Sequence, residues 1–434
     1  MIPTGPFRLP RLPRLNGVAK SGLAGVAGAG AGACAQFLVV VLVTRGTGRE
    51  AAGTFFTATA SCLMAAGILR LDAGNGLIYF IAGSRPSGYR RAPGYVRAAL
   101  VPVVTLSLAV STAALVCLSD PTLRVLAVAL PAVVCADVVV AATRGFGAMR
   151  PTLLLDGVLQ PAVQLSLIAA AVLADVESVP MLAAAWALPH LPVLLLAALW
   201  LRRRLPRTPY PPGTAHDLWR HNWPRSAAAA IQAVFQRLDI VIVAMLAGPA
   251  EAAVYTAATR FKVVGQLANQ GLTRAVQPRL VHALTAGDLP RARELYQSAT
   301  MWLVLLTWPV WLGYAALAPW LLGLLGDGYA SGVPVTFVLA ATMMLATACG
   351  MADVVLTSAG HTGASLAGLA AAVAVTVALD TLLIPSCGAL GAALGWAAGT
   401  AVKNLVPLWR IHHRYGLRPF GAHSLTALTS WRIP

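Results

Sequence analysis

The sequence predicts an all-α polytopic membrane protein, about twelve transmembrane helices in two six-helix bundles related by an internal repeat. Three observations predict it: a composition too apolar for water, a ladder of span-length apolar windows with basic residues in alternate loops, and self-similarity at an offset of 200 residues.

Apolar residues fill 58% and charged residues 11% of 434 positions, with a mean hydropathy of +0.73. Soluble domains are about a quarter charged, so a water-soluble fold of this size could not cover its surface. The net charge of +17 comes almost wholly from arginine, Lys20, Lys262 and Lys403 being the only lysines. It lies between apolar runs and not on a polar surface, which points to membrane topology and away from nucleic acid. The six cysteines show no CxxC and no histidine at ligand spacing, so they read as small packing residues. Cys117 and Cys387 fall near the outer ends of spans, and their pairing is left open.

Windows of about 20 apolar residues, the length that crosses a hydrocarbon core, occur near 20–44, 50–69, 98–118, 122–143, 152–174, 179–201, 226–248, 251–273, 298–325, 332–357, 363–385 and 387–409. The second and eighth are rich in Ala, Thr and Gly and are the weakest as spans. Charge placement supports keeping both. With the N-terminus inside, the inner segments hold Arg8, Arg11 and Arg14; Arg85, Arg90, Arg91 and Arg97; Arg144 and Arg150; Arg202, Arg203, Arg204 and Arg207; Arg291 and Arg293; and Arg410 and Arg414. The outer loops hold little beyond Arg45, Arg49 and Arg124, as expected when basic residues stay cytoplasmic. At the N-terminus the apolar run 37–43 follows the Ala-Gly-Ala-Cys-Ala segment at Cys34, the wrong order for signal cleavage, so this span reads as retained.

The repeat aligns Gly48-Arg-Glu-Ala-Ala-Gly-Thr-Phe-Phe-Thr-Ala-Thr59 without a gap on Gly248-Pro-Ala-Glu-Ala-Ala-Val-Tyr-Thr-Ala-Ala-Thr259, with Gln36 opposite Gln236. It joins span one to span two and span seven to span eight, where two six-span halves would correspond, and parallel duplication is a transporter plan with the substrate path between the halves. The expected organisation is an N-terminal bundle over 1–201, a basic cytoplasmic connector over 202–225, a C-terminal bundle over 226–415 and a cytoplasmic tail over 416–434. All outer loops are short, leaving little room for an extracytoplasmic catalytic domain.

An ionised side chain at mid-membrane costs about 2.5–3.5 kcal/mol on insertion scales. Arg237 falls about twelve residues into span seven, near mid-depth at a rise of 1.5 Å per residue. Arg237 and Asp239 cannot face one another on a helix, so each either pairs with another span or lines an aqueous cavity. Lys262, Gln266, Asn269 or Gln270, and Thr273 recur every three to four residues as a polar stripe on span eight, and Arg260 flanks its upper turn. Together they predict a basic lumen in the C-terminal half, because the repeat partners of Arg237, Arg260 and Lys262 are Phe37, Ala60 and Cys62. Asp239, Asp137 and Asp353 are candidate lumen or coupling acids, while Lys403 lies close enough to a helix end to snorkel to the interface. His190 reads as a packed neutral histidine, and Gly388, Gly391, Gly395 and Gly399 as close helix packing. No catalytic constellation, metal site or cofactor motif is present in the sequence; proton or sodium coupling is left open.

Several segments resemble the polysaccharide flippases, O-antigen flippases and lipid-linked oligosaccharide exporters among them, within the multidrug, oligosaccharidyl-lipid and polysaccharide exporter superfamily. They are Arg237-Leu-Asp-Ile-Val-Ile-Val with Ala253-Val-Tyr-Thr-Ala-Ala-Thr-Arg260, Gln277-Pro-Arg-Leu, Gly287-Asp-Leu, Gly326-Asp-Gly-Tyr329 and Leu383-Ile-Pro-Ser-Cys-Gly-Ala-Leu-Gly-Ala-Ala393, joined in the first half by Arg45-Gly-Thr-Gly48 and Gly53-Thr-Phe-Phe. The resemblance is clearest from Arg237 to Phe420. It implies two bundles around a central cavity, alternating access, a bacterial inner-membrane location with both termini cytoplasmic, and an undecaprenyl-diphosphate-linked sugar as cargo. Partners on that reading are membrane lipids, the lipid-linked sugar diphosphate, and a polysaccharide polymerase and glycosyltransferases. Arg237, Arg260, Lys262, Gln266 and Asn269 would then bind the cargo. Multidrug exporters of the same superfamily and a membrane-bound enzyme of polysaccharide assembly are the rival readings.

Overall fold

The computed structural model describes residues 15–208, 210–260, 262–326 and 328–424, with backbone alone for 15–29, 262–271, 274 and 275. Helix is the only regular structure among them. The first lobe comprises α1 (Leu15–Gly46), α2 (Arg49–Leu69), α3 (Ala73–Gly83), α4 (Ala92–Cys117), α5 (Pro121–Gly145), α6 (Arg150–Leu154), α7 (Gln160–Leu173), α8 (Val179–Ala187) and α9 (His190–Arg204). The second comprises α10 (Thr214–Phe235), α11 (Leu238–Ala247), α12 (Pro249–Thr259), α13 (Lys262–Thr285), α14 (Leu289–Ala316), α15 (Ala318–Gly323), α16 (Val333–Ala348), α17 (Ala352–Ser358) and α18 (Thr362–Tyr415).

Every one of the twelve expected spans coincides with helix. Among the described residues nine helical segments are long and apolar enough to cross a membrane by themselves. The first span falls short because only Gly30–Gly46 carries described side chains, and the eighth because α12 ends at Thr259 and the side chains of 262–271 lie outside the described residues. The twelfth is the second half of α18, which carries Lys403 and Arg410 and joins the eleventh across Gly388 (φ 54, ψ −133). At that kink the Glu251 carboxylate accepts from Ala389 N at 2.9 Å, satisfying an amide that the break leaves open. A Cβ at Gly391 would lie 2.5 Å from Leu383 O, so the two halves pack backbone to backbone, as the glycine spacing predicts.

Two boundaries differ from the expectation. Residues 73–83, read as part of an inner loop, form α3, whose Leu77 and Ile81 are fully buried; the apolar run is too short to register as a span. The turn before it places Leu71 and Asp72 in left-handed backbone (φ 50 and 51), a conformation unfavourable for Leu and tolerated by Asp. It is held from α10. Ser226 Oγ donates to Leu71 O at 2.6 Å, Asn222 Nδ2 to Asp72 O at 3.3 Å, and Arg225 to the Asp72 carboxylate at 2.8 Å. The second boundary is therefore that of the connector: its latter half is already helical from Thr214 and docks on the first lobe, with Trp219 Nε1 donating to Ala98 O at 3.0 Å.

The lobes meet along α2 against α11 and α12; α2 and α12 belong to the two spans whose Ala, Thr and Gly content made them weakest in the sequence. Small residues there allow close approach. A Cβ at Gly53 would fall 1.7 Å from Pro249 O, and Ala52, Ala252, Ala253 and Tyr255 are fully buried. One continuous core, with Phe55, Val134, Ile168, Val243, Tyr255 and Ile384, runs through both lobes at this seam. The same end is tied by Arg45 Nε donating to Leu324 O at 2.7 Å and Arg49 NH1 to Gly328 O at 3.3 Å.

Candidate functional site: a cavity between the lobes

A cavity of about 1070 Å³ lies between the lobes. The repeat is realised in its lining: Gln36 and Gln236, Phe37 and Arg237, Val39 and Asp239, Val40 and Ile240, Thr59 and Thr259, and Ala60 and Arg260 are all wall residues separated by 200. Equivalent positions of the two halves thus look into one space, and the cations stand on one side only, as the substitution of Phe37 and Ala60 by Arg237 and Arg260 predicts.

Arg237 is not inside a helix. It occupies the break between α10 and α11 with φ −140 and ψ −15, half-buried on the cavity wall. Broken helix at membrane depth is tolerated where it lines a cavity. Arg260 sits at the next break, after α12, 5.6 Å above the Phe56 ring and within electrostatic range of Arg237. Its Nε is buried and has no hydrogen-bond partner among the described residues. Lys403 does not snorkel, contrary to the sequence expectation; it lines the cavity, donating to Gln232 Oε1 at 3.2 Å and lying 5.1 Å from the Phe235 ring. Its distance along the chain from the basic helix end misled, because the second half of α18 reaches Tyr415 before it stops.

The acids separate. Asp239 is buried on the cavity wall and accepts from Tyr255 Oη at 2.5 Å and from Ile240 N at 2.9 Å. Asp353 lines the cavity and accepts from Ser365 Oγ at 2.6 Å. Asp137, grouped with them from the sequence, instead lines a separate pocket of about 390 Å³, paired with Arg70 at 2.7 Å and accompanied by Arg144 and Asp156. The described cavity wall therefore holds three cations and two carboxylates, the basic residues joined by two of the three candidate lumen acids. The side chains of Lys262, Gln266 and Asn269 lie outside the described residues; of their stripe, Thr273 reaches Met351 Sδ at 3.3 Å.

Sequence reasoning passed over the opposite wall. There Gln36 donates to Gln164 Oε1 at 2.7 Å, and Gln160 meets His190 at 3.0 Å. A signal was present: Gln160 and Gln164 are four apart, one face of an apolar helix. His190 is packed as expected, its Nδ1 at 2.9 Å from Ala187 O. All six cysteines are free, Cys117 and Cys387 included.

Two lobes of repeated helices around a polar cavity define a membrane transporter of the MOP superfamily. The chain belongs to the polysaccharide biosynthesis protein family, whose profile matches residues 18–283. That match covers mainly the first lobe, whereas the motif resemblance was clearest after Arg237. No curated protein matches the sequence. An inward-facing structure of a multidrug resistance MATE family transporter of the MOP superfamily superposes with TM-score 0.71 at 16% identity, over 88% of this chain and 94% of that one. An outward-facing structure of such a transporter gives 0.62 at 17%, over 92% and 95%. A MOP superfamily transporter from Pyrococcus furiosus, described as having a binding pocket of reverse polarity, gives 0.62 at 16%, again over 92% and 95%. At these identities the likeness is one of fold.

Proposed function

We propose that the protein flips an undecaprenyl-diphosphate-linked oligosaccharide from the inner to the outer leaflet of a bacterial inner membrane by alternating access, with both termini cytoplasmic. The observation that carries this reading is the wall of Arg237, Arg260 and Lys403 facing a cavity of about 1070 Å³. A diphosphate is a compact anion. Guanidinium binds phosphate through paired hydrogen bonds, and Arg260 brings to the same wall a buried Nε with no partner among the described residues. The ties of Arg45 to Leu324 and of Arg49 to Gly328 hold the lobes together at one end; with that end outside, as the sparse basic residues of its loops suggest, the cavity would open to the cytoplasm. Asp239 and Asp353 are the acids through which a proton or sodium gradient would act in the lumen. A polysaccharide polymerase and glycosyltransferases would supply and consume the cargo.

Export of cationic small molecules is the second reading, favoured by the same two carboxylates. Proteoliposome flipping of a lipid-linked sugar separates the two. Arg237→Ala is expected to abolish flipping with unchanged expression, and Arg237→Lys to restore only part of it, because the two-pronged contact is lost. Normal flipping by well-expressed Arg237→Ala protein would overturn the assignment.

A further inference from the structure

Among the described residues, the wall formed by α1, α7, α8 and α9 contributes no Asp, Glu, Lys or Arg to the cavity. It presents amides instead. Gln36 Nε2 bonds to Gln164 Oε1, Gln164 Nε2 donates to Trp186 O at 2.8 Å, and Gln160 Nε2 meets His190 Nε2, whose ring is anchored on Ala187 O. Gln164 and His190 are almost wholly buried, so the network is fixed and not a solvated fringe. Gln36 and Gln160 each use the amide nitrogen in this network, and the carbonyl oxygen of each makes no hydrogen bond among the described residues. An amide oxygen accepts two hydrogen bonds.

Two irregularities build this face. The chain makes a π-turn over Leu155–Leu159 just before Gln160, and it breaks at Leu188–Pro189 just before His190. A π-turn inserted in an α-helix shifts the register of the residues after it, and such turns occur often at functional sites. Without it, Gln160 and Gln164 would rotate away from the cavity.

Resting on the flippase reading above, we infer that this amide wall is the subsite for the cargo's first sugar: the oxygens of Gln36 and Gln160 accept from sugar hydroxyls while the diphosphate sits on the cationic wall. The division comes from chemistry. A neutral, hydroxyl-rich group gains most from fixed neutral acceptors and loses least by leaving water at an uncharged surface, whereas the phosphates require the cations. The cavity is at the large end of small-ligand sites, wide enough for both groups side by side. Trp186 adds an apolar ring on the amide side.

The test is binding to the purified full-length protein in nanodiscs, followed by tryptophan fluorescence, of two probes: undecaprenyl diphosphate, and the same lipid bearing one N-acetylhexosamine. Wild type is expected to hold the sugar-bearing lipid more tightly. Gln160→Leu and Gln36→Leu are each expected to weaken the sugar-bearing lipid by about fivefold to tenfold and to leave the bare lipid unchanged, while Arg237→Ala weakens both. Each variant is first shown to elute as a single species with the wild-type melting temperature, and either one that does so suffices; should both misfold, Gln160→Asn, which keeps the amide but shortens its reach, is expected to show the same selective loss. Equal weakening of both probes, or no weakening while wild type binds both, would overturn the sugar subsite and leave the flippase reading standing. If wild type binds neither probe, both readings fall.

Discussion

Gly53 is the narrowest point of the seam, and adding one methyl group there tests whether the seam is the gate. In Gly53→Ala the new Cβ would lie 1.7 Å from Pro249 O, 2.3 Å from its carbonyl carbon and 2.9 Å from its Cα. All three are backbone atoms, so no rotamer change relieves the clash. Non-bonded heavy atoms need about 3.5 Å, so α2 and α12 must part by about 2 Å to admit the group. Overpacking of this kind costs about 1–3 kcal/mol, and the cost applies only while the seam is closed. The closed state should therefore lose about 5- to 150-fold in population against a state open at that end. Distances between spin labels at Thr47 and Ser331, which flank the Arg45 and Arg49 ties, report that population by pulsed electron resonance. Gly53→Ala is expected to move weight to longer distances. Gly48→Ala is the control, since a Cβ there meets nothing within 4 Å. An unchanged distance distribution in folded Gly53→Ala protein would refute the reasoning.

Topology and the smaller pocket give two more tests. In a background with Cys34, Cys117 and Cys387, the exposed thiols, replaced by serine, single cysteines at the exposed positions Glu177 and Ser331 are expected to react with an impermeant thiol reagent in intact cells, and one at Arg204 is not. Reaction at Arg204 would invert the assigned orientation. The Arg70–Asp137 pair is partly solvated, with side-chain exposures of 41% and 33%. Such pairs contribute about 0–1 kcal/mol, so Asp137→Asn is expected to lower the melting temperature by about 2 °C or less; a much larger fall would make the pair a structural necessity.

The helices were legible because each span must satisfy its own backbone in lipid, which leaves long apolar windows. The repeat was legible in register as well as in outline, down to Gln36 opposite Gln236. The breaks were less so. Pro189 hinted at the interruption before His190, and Pro161 at the irregularity beside Gln160, but nothing local marks Gln236–Arg237, whose geometry is imposed by packing across the cavity. Arg237 stood out because charge at mid-depth is costly. Gln36, Gln160 and Gln164 did not, since amides are cheap enough in membrane helices to pass for interhelical glue. Lys403 was misjudged because depth was counted along the chain and not in space.

The helix α10 belongs to both lobes. Residues 222–226 are bonded to the turn after α2, while Phe235, with Ile231 beside it, packs on Leu369 and Ala372 of α18. Only about five residues, some 8 Å of helix, separate these two attachments. At this end, then, the lobes are bound together along one side like pages at a spine, and they can fan apart only on the side away from it. Cargo of any bulk must enter and turn by that free edge, which gives the path through the protein a handedness that a symmetric pair of bundles would lack.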